Sequence, residues 1–154
     1  MSSLKKLVLS LLILFIVIQF IQPARNNNGQ VLPSDITKMY SLPKNVQSVF
    51  KTACYDCHSN NTNYPLYVHI QPMGWLMAWH IKNGKENLNF SEFGGYSKRK
   101  QFNKLRAIET SIKEGSMPIS SYTFMHSNAK LGREDKKLIT DWVSITKDSL
   151  STKN

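Results

Sequence analysis

The chain has 154 residues, 41% of them hydrophobic, which is the content of one domain with appendages rather than an array of domains. Twenty Lys and Arg against ten Asp and Glu give a formal charge of +10, which suits nucleic acid, anionic lipid or an acidic protein partner. No basic run is interleaved with aromatic residues, and Lys98-Arg99-Lys100 suits a solvated helix start, so a nucleic-acid partner is excluded.

In chain order, Lys5 and Lys6 precede an apolar run from Leu7 to Ile21, the pattern of an export signal. Those fifteen residues fall short of the ~20 that span a bilayer, although Leu4 and snorkelling lysines extend the run. No small-x-small cleavage site follows, since Gln22-Pro23-Ala24-Arg25 is a poor match, so an uncleaved signal anchor over 1–24 is favoured over a cleaved peptide. The lysines then stay in the cytoplasm and the rest of the chain lies on the periplasmic, outer side of the cytoplasmic membrane. Arg25 to Gln30 is polar and contains glycine, and it opens a linker over 25–42 that tethers a domain over 43–150.

Pro43 suits the first turn of a helix, in which Val46, Val49, Phe50 and Ala53 recur on one face. At the end of that helix stands Cys54-Tyr55-Asp56-Cys57-His58, which holds both cysteines of the chain. Cys-x-x-Cys-His is the spacing of a c-type haem attachment site. Two thiols add to the two vinyl groups on one porphyrin edge, and the next residue lies under the ring centre, where imidazole binds iron. The exported location agrees with this, because haem c is attached outside the bacterial cytoplasmic membrane. A bare Cys-x-x-Cys also serves as a redox dithiol, a disulfide or half a zinc site. Zinc needs two further ligands, and His69, His80 and His126 form no closely spaced histidine pair. A redox dithiol wants a βαβ pattern, and none is present. Haem c therefore ranks first, a dithiol or disulfide second and zinc third.

Ser59 to Asn63 reads as a loop and Tyr64 to Tyr67 as an extended aromatic segment. A second helix runs from Pro72 to about Asn83, with Gly84 as its C′ residue. Met73, Met77, His80 and Ile81 share one side of it, while Trp75 and Trp79 share another and either cover a porphyrin or sit in the core. Asn87 to Tyr96 reads as an irregular loop. Ser97 caps a third helix with Phe102, Leu105, Ile108 and Ile112 inward, and Gly115 ends it. Ser116 to Leu131 shows no period. A last helix starts near Arg133 with Leu138, Ile139, Trp142, Val143 and Ile145 inward. With no strand pattern, the fold class is all-α: about four helices around one covalently attached haem c, cytochrome-c-like, after an N-terminal membrane-anchor helix.

The sixth iron position decides the chemistry. A thioether raises the potential, a second imidazole lowers it, and an open position admits small molecules. Met117 is the first candidate: it lies in a loop beyond a helix end, and Pro118 stiffens the backbone behind it. His80 is second, His126 and Met125 in the same loop as Met117 come next, and His69 is last. Met73 and Met77 suit packing against the ring.

Cys-Tyr-Asp-Cys-His-Ser-Asn, Tyr64-Pro65, Ile70-Gln71-Pro72, His80-Ile81, Leu88 to Glu92, Gly115-x-Met117-Pro118, Tyr122, His126 and Trp142 together resemble the bacterial haem-binding domain family, over about Val46 to Trp142. The resemblance implies a small, membrane-anchored, single-haem c-type cytochrome, with haem on Cys54 and Cys57 and iron on His58. The expected function is single-electron transfer outside the cytoplasmic membrane with acidic or membrane-bound redox proteins. The alternatives are a small-ligand sensor or peroxidase-like protein with an open sixth position, and a haem-free dithiol oxidoreductase.

Overall fold

The structure, a computed structural model, describes residues 2–152. Among them the chain is all helical, apart from an isolated bridge between Asn27 and Asn61. The helices are α1 (Ser3–Ile18), α2 (Ile36–Met39), α3 (Lys44–Ala53), α4 (Tyr55–His58), α5 (Met73–Asn87), α6 (Lys98–Glu114), α7 (Ser120–Met125) and α8 (Arg133–Ser151). Short 3₁₀ turns cover Leu66–His69, Phe90–Gly95 and Ser127–Ala129. Beyond α1, the four helices of ten residues or more are α3, α5, α6 and α8, as the periodicity predicts.

The core lies where α3, α6 and α8 meet. Phe50 stacks on Phe90 at 5.2 Å and meets Trp142 edge-on at 5.6 Å. Leu105, Ile112, Ile139, Val143 and Leu150 close the cluster. The helix ends of α6 are those expected: the Ser97 hydroxyl accepts from Lys100 N, and Gly115 takes the left-handed conformation at φ 71°. Glu109 of α6 pairs with Lys147 of α8 and, within α6, with Lys113, fixing the seam between the two helices.

Several expectations change. Gly84 does not end α5, which runs on to Asn87. Its role is tertiary: a Cβ there would lie 2.4 Å from the Cys57 carbonyl oxygen, so only glycine lets α5 approach α4 this closely. The segment read as an irregular loop contains the 3₁₀ turn Phe90–Gly95, whose Phe90 and Phe93 are among the most buried residues. The buried Gln101 amide donates to Phe93 O (3.2 Å) and Tyr96 O (2.9 Å), which holds that turn on α6. The aperiodic stretch after Gly115 contains α7. Ile145 points outward at 69% exposure, and Thr146 and Leu150 take the inward positions of α8. Trp75 and Trp79 are not core: Met77 and Ile81 supply the buried face of α5.

The apolar run folds as α1, with no buried residue, and stops at Ile18. Among the described residues no helix is long and apolar enough to cross a membrane, so the anchor helix expected over 1–24 is shorter than a full span. The polar segment read as a tether is bonded to the domain. Asn26 donates through its amide to Ser59 O and Thr62 Oγ1, and its backbone N donates to Tyr64 Oη. Trp142 Nε1 donates to Ser41 O at 3.1 Å, and Tyr40 Oη donates to Gln101 Oε1 at 2.6 Å.

Candidate haem site

The segment from Cys54 to His58 sits where α3 turns into α4. Cys54 N still bonds to Phe50 O, as in α3, and Cys57 N and His58 N both bond back to Cys54 O. This single tight turn places Cys54, Cys57 and His58 on one wall of a cavity of about 490 Å³. The rest of the lining comes from Asn83, Gly84 and Asn87 of α5, from Lys104, Ile108 and Ser111 of α6, and from Met117 to Ile119 with Tyr122.

His58 is held by its second nitrogen. Nδ1 lies 3.0 Å from Gly84 O and 3.0 Å from Leu88 O. Carbonyl oxygens only accept, so Nδ1 carries the proton and the Nε2 lone pair is free for a metal. Burial pushes the pKa of His58 down, against the pull of those two backbone bonds, and so favours the neutral imidazole that ligation needs. Phe90 packs edge-on to the ring at 6.2 Å.

The two thiols are also desolvated. Burial pushes Cys54 up to about 12, with Cys57 adding to it, and Cys57 up to about 11, with Asp56 adding. Such thiols are poor thiolates, which argues against a dithiol oxidoreductase. Among the described residues no group of three or more His, Cys, Asp and Glu side chains could hold a metal ion, so zinc finds no ligand set. Asp56, between the cysteines, accepts from Tyr122 Oη at 2.7 Å and from Asn63 N at 3.0 Å. It thereby ties α7, and with it the Met117 segment, to the turn between the two cysteines.

Of the sixth-ligand candidates, Met117 and His80 line the cavity. His80 packs beside Trp79, ring to ring at 4.9 Å. His126 does not line it: it stacks on Tyr122 at 4.1 Å, with Nδ1 3.1 Å from Tyr122 O and Nε2 3.5 Å from Tyr67 Oη. His69 is at the surface, with Nδ1 3.0 Å from the Arg25 guanidinium. Met73, Met77 and Met125 border an adjoining hollow of about 40 Å³, which shares Cys57, His80, Ile119 and Tyr122 with the cavity. Lys104, Asn83 and Asn87 are wall residues that sequence reading missed. A stripe at Lys104, Ala107, Ile108 and Ser111 signals the α6 wall, but it lies beside the stronger core stripe of Leu105 and Ile112. The two asparagines carry no pattern of their own.

A helical domain with a wide, largely apolar cavity, an imidazole whose outer nitrogen is fixed, and two thiols beside it defines a haem-binding protein. The residues present fit that group: the wall that offers a free imidazole nitrogen also offers both sulfurs. Residues 13–145 match the haem-binding domain family, and the chain belongs to that family. No curated protein and no solved structure matches the chain.

Proposed function

We propose that this haem protein is a membrane-anchored c-type cytochrome that carries single electrons outside the bacterial cytoplasmic membrane. Cys54 and Cys57 hold the haem through thioether bonds, and His58 Nε2 binds its iron. When bound, the haem supplies a reversible one-electron iron couple. Gly84 O and Leu88 O orient His58 and strengthen it as a donor through the Nδ1 proton. Phe90, Ile108 and Ile112 keep water from the site. Lys104 has no carboxylate partner among the described residues, and it faces the cavity as a cation for the haem carboxylates. Met117 is the sixth ligand of this reading and His80 the reserve. Acidic or membrane-bound redox proteins are the partners, drawn by the basic charge of +10.

The observation that carries the reading is the double carbonyl clasp on His58 Nδ1 beside two cysteines. The experiment is Met117→Ala in the haem-loaded protein, read by absorption and redox titration. Loss of the methionine–iron charge-transfer band with a lower potential is expected. An unchanged spectrum removes Met117 from the role. A small-ligand sensor is the second reading, favoured by the position of His80 and Trp79 on the cavity wall. Fast carbon monoxide binding to the reduced wild type, with no ligand displaced, decides for it.

A further inference from the structure

The N-terminal helix is clamped to the domain at its C-terminal end. Gln19 Oε1 accepts from Gln71 N at 2.8 Å, and Gln71, fully buried, donates through Nε2 to Gln22 Oε1 at 3.0 Å. Trp75 Nε1 donates to Ile21 O at 2.8 Å. Around this clamp lies a collar of exposed apolar side chains: Phe20 and Ile21 from the chain leaving α1, Leu66 from the first 3₁₀ turn and Ile70 just after it, and Trp75 and Trp79 from α5. Leu66 is 86% exposed and Trp79 58%. Arg25 lies at the rim, its guanidinium over the Tyr64 ring at 4.5 Å.

We propose that this collar docks on a lipid bilayer, resting on the reading of α1 as the membrane anchor. Three observations select lipid as the occupant. The collar is continuous with α1, whose residues from Leu7 to Ile18 carry no charge and are exposed all round except at the Ile18 end, which suits a lipid surround better than a single protein groove. The sixteen residues of α1 reach about 24 Å, short of the ~30 Å hydrocarbon thickness. Where a span is too short the bilayer thins around it, which leaves the adjoining apolar surface within reach of the membrane. Finally, the collar has Trp, Tyr and Arg at its edge, the residue types that settle at the headgroup level. Trp79 belongs both to the collar and to the cavity wall, so docking sets the haem site at headgroup height and turns it toward partners in the membrane plane.

The test uses the full-length, haem-loaded protein with Cys54 and Cys57 consumed by the haem, so that one added cysteine takes a nitroxide label. Leu66→Cys reports the collar, and Ile145→Cys, equally apolar in origin but on α8, reports a surface away from it. Vesicles contain phosphatidylcholine and phosphatidylglycerol, and both labelled variants are measured with the iron oxidised, each against its own sample without relaxing agent. The expected result is a several-fold higher ratio of oxygen to nickel-chelate accessibility for the Leu66→Cys label than for the Ile145→Cys label. Equal ratios in protein that sediments with the vesicles overturn the collar and leave the anchor standing. Protein that stays in the supernatant overturns the anchor, and the collar with it.

Discussion

His58 and Tyr122 show how single side chains set this site. His58 keeps Nε2 free because of a bond on its far side, and that bond depends on where two helix-end carbonyls lie. Tyr122, also on the cavity wall, bonds to the Asp56 carboxylate at 2.7 Å, and burial with this bond pushes the pKa of its hydroxyl up strongly. A hydrogen bond to a charged group contributes about 1.5–3 kcal/mol. Tyr122→Phe is therefore expected to lower stability by about 2 kcal/mol in denaturant titration and to loosen the Met117 segment. Stability equal to wild type would show that Asp56 and Tyr122 are both as well solvated apart as together. The histidines divide by the same logic. His126 has both ring nitrogens near protein partners, whereas His58 has one committed and one free.

At the scale of elements, α5 against α4 and α6 against α8 carry the architecture. Gly84→Ala adds a methyl 2.4 Å from the Cys57 carbonyl oxygen. Alanine gains about 1 kcal/mol of helix propensity, and overpacking costs about 1–3 kcal/mol. The clash is with backbone, so the upper figure applies, and the expected net loss is about 2 kcal/mol by thermal or denaturant melting. Because Gly84 O clasps His58, the reduction potential of the haem-loaded protein should shift as well; an unmoved potential with unchanged melting would contradict the close approach.

The α6–α8 seam makes a pH-dependent prediction. Hydrogen bonds from Lys113 and Lys147 hold the pKa of Glu109 below the ordinary carboxylate value. A lowered folded pKa gives stability that is present above the unfolded value and lost as pH falls through the folded one. Glu109→Gln should thus melt slightly below wild type at neutral pH, with the gap closing in acid. A gap that is independent of pH would assign the effect to packing instead.

Local rules made some elements legible and left others hidden. Ser97 and Gly115 bracket α6 by chemistry internal to the helix, so the sequence sufficed. Gly84 was misread because the reason for a glycine there is a neighbouring chain segment, invisible to local pattern. Ile145 fits a helical stripe with Trp142, but the buried face of α8 turns through Ile139, Val143, Thr146 and Leu150, and the threonine breaks the hydrophobic signal.

For the whole molecule, composition was a weaker guide than contact. The asparagine-rich segment after Arg25 looks like a free tether, yet its amides bond to the loop behind the attachment turn. Polarity alone does not distinguish solvated amides from amides paired with another loop. The haem-binding class was legible because the Cys54–His58 spacing and the motifs around it resemble that family, which residues 13–145 match. The walls of the cavity were not, because Lys104, Asn83 and Asn87 are brought there by helix packing. The account predicts one object built from these parts: a haem sewn to α4, clasped by α5, roofed by the Met117 segment and carried by a helix rooted beside it. The most direct measurement is a pyridine haemochrome spectrum with intact and peptide mass spectrometry of protein produced beside a working haem-attachment system. A c-type spectrum, with one haem retained on the peptide that contains Cys54 and Cys57, is predicted. Haem extracted by acidic acetone, or two unmodified thiols on that peptide, would contradict it.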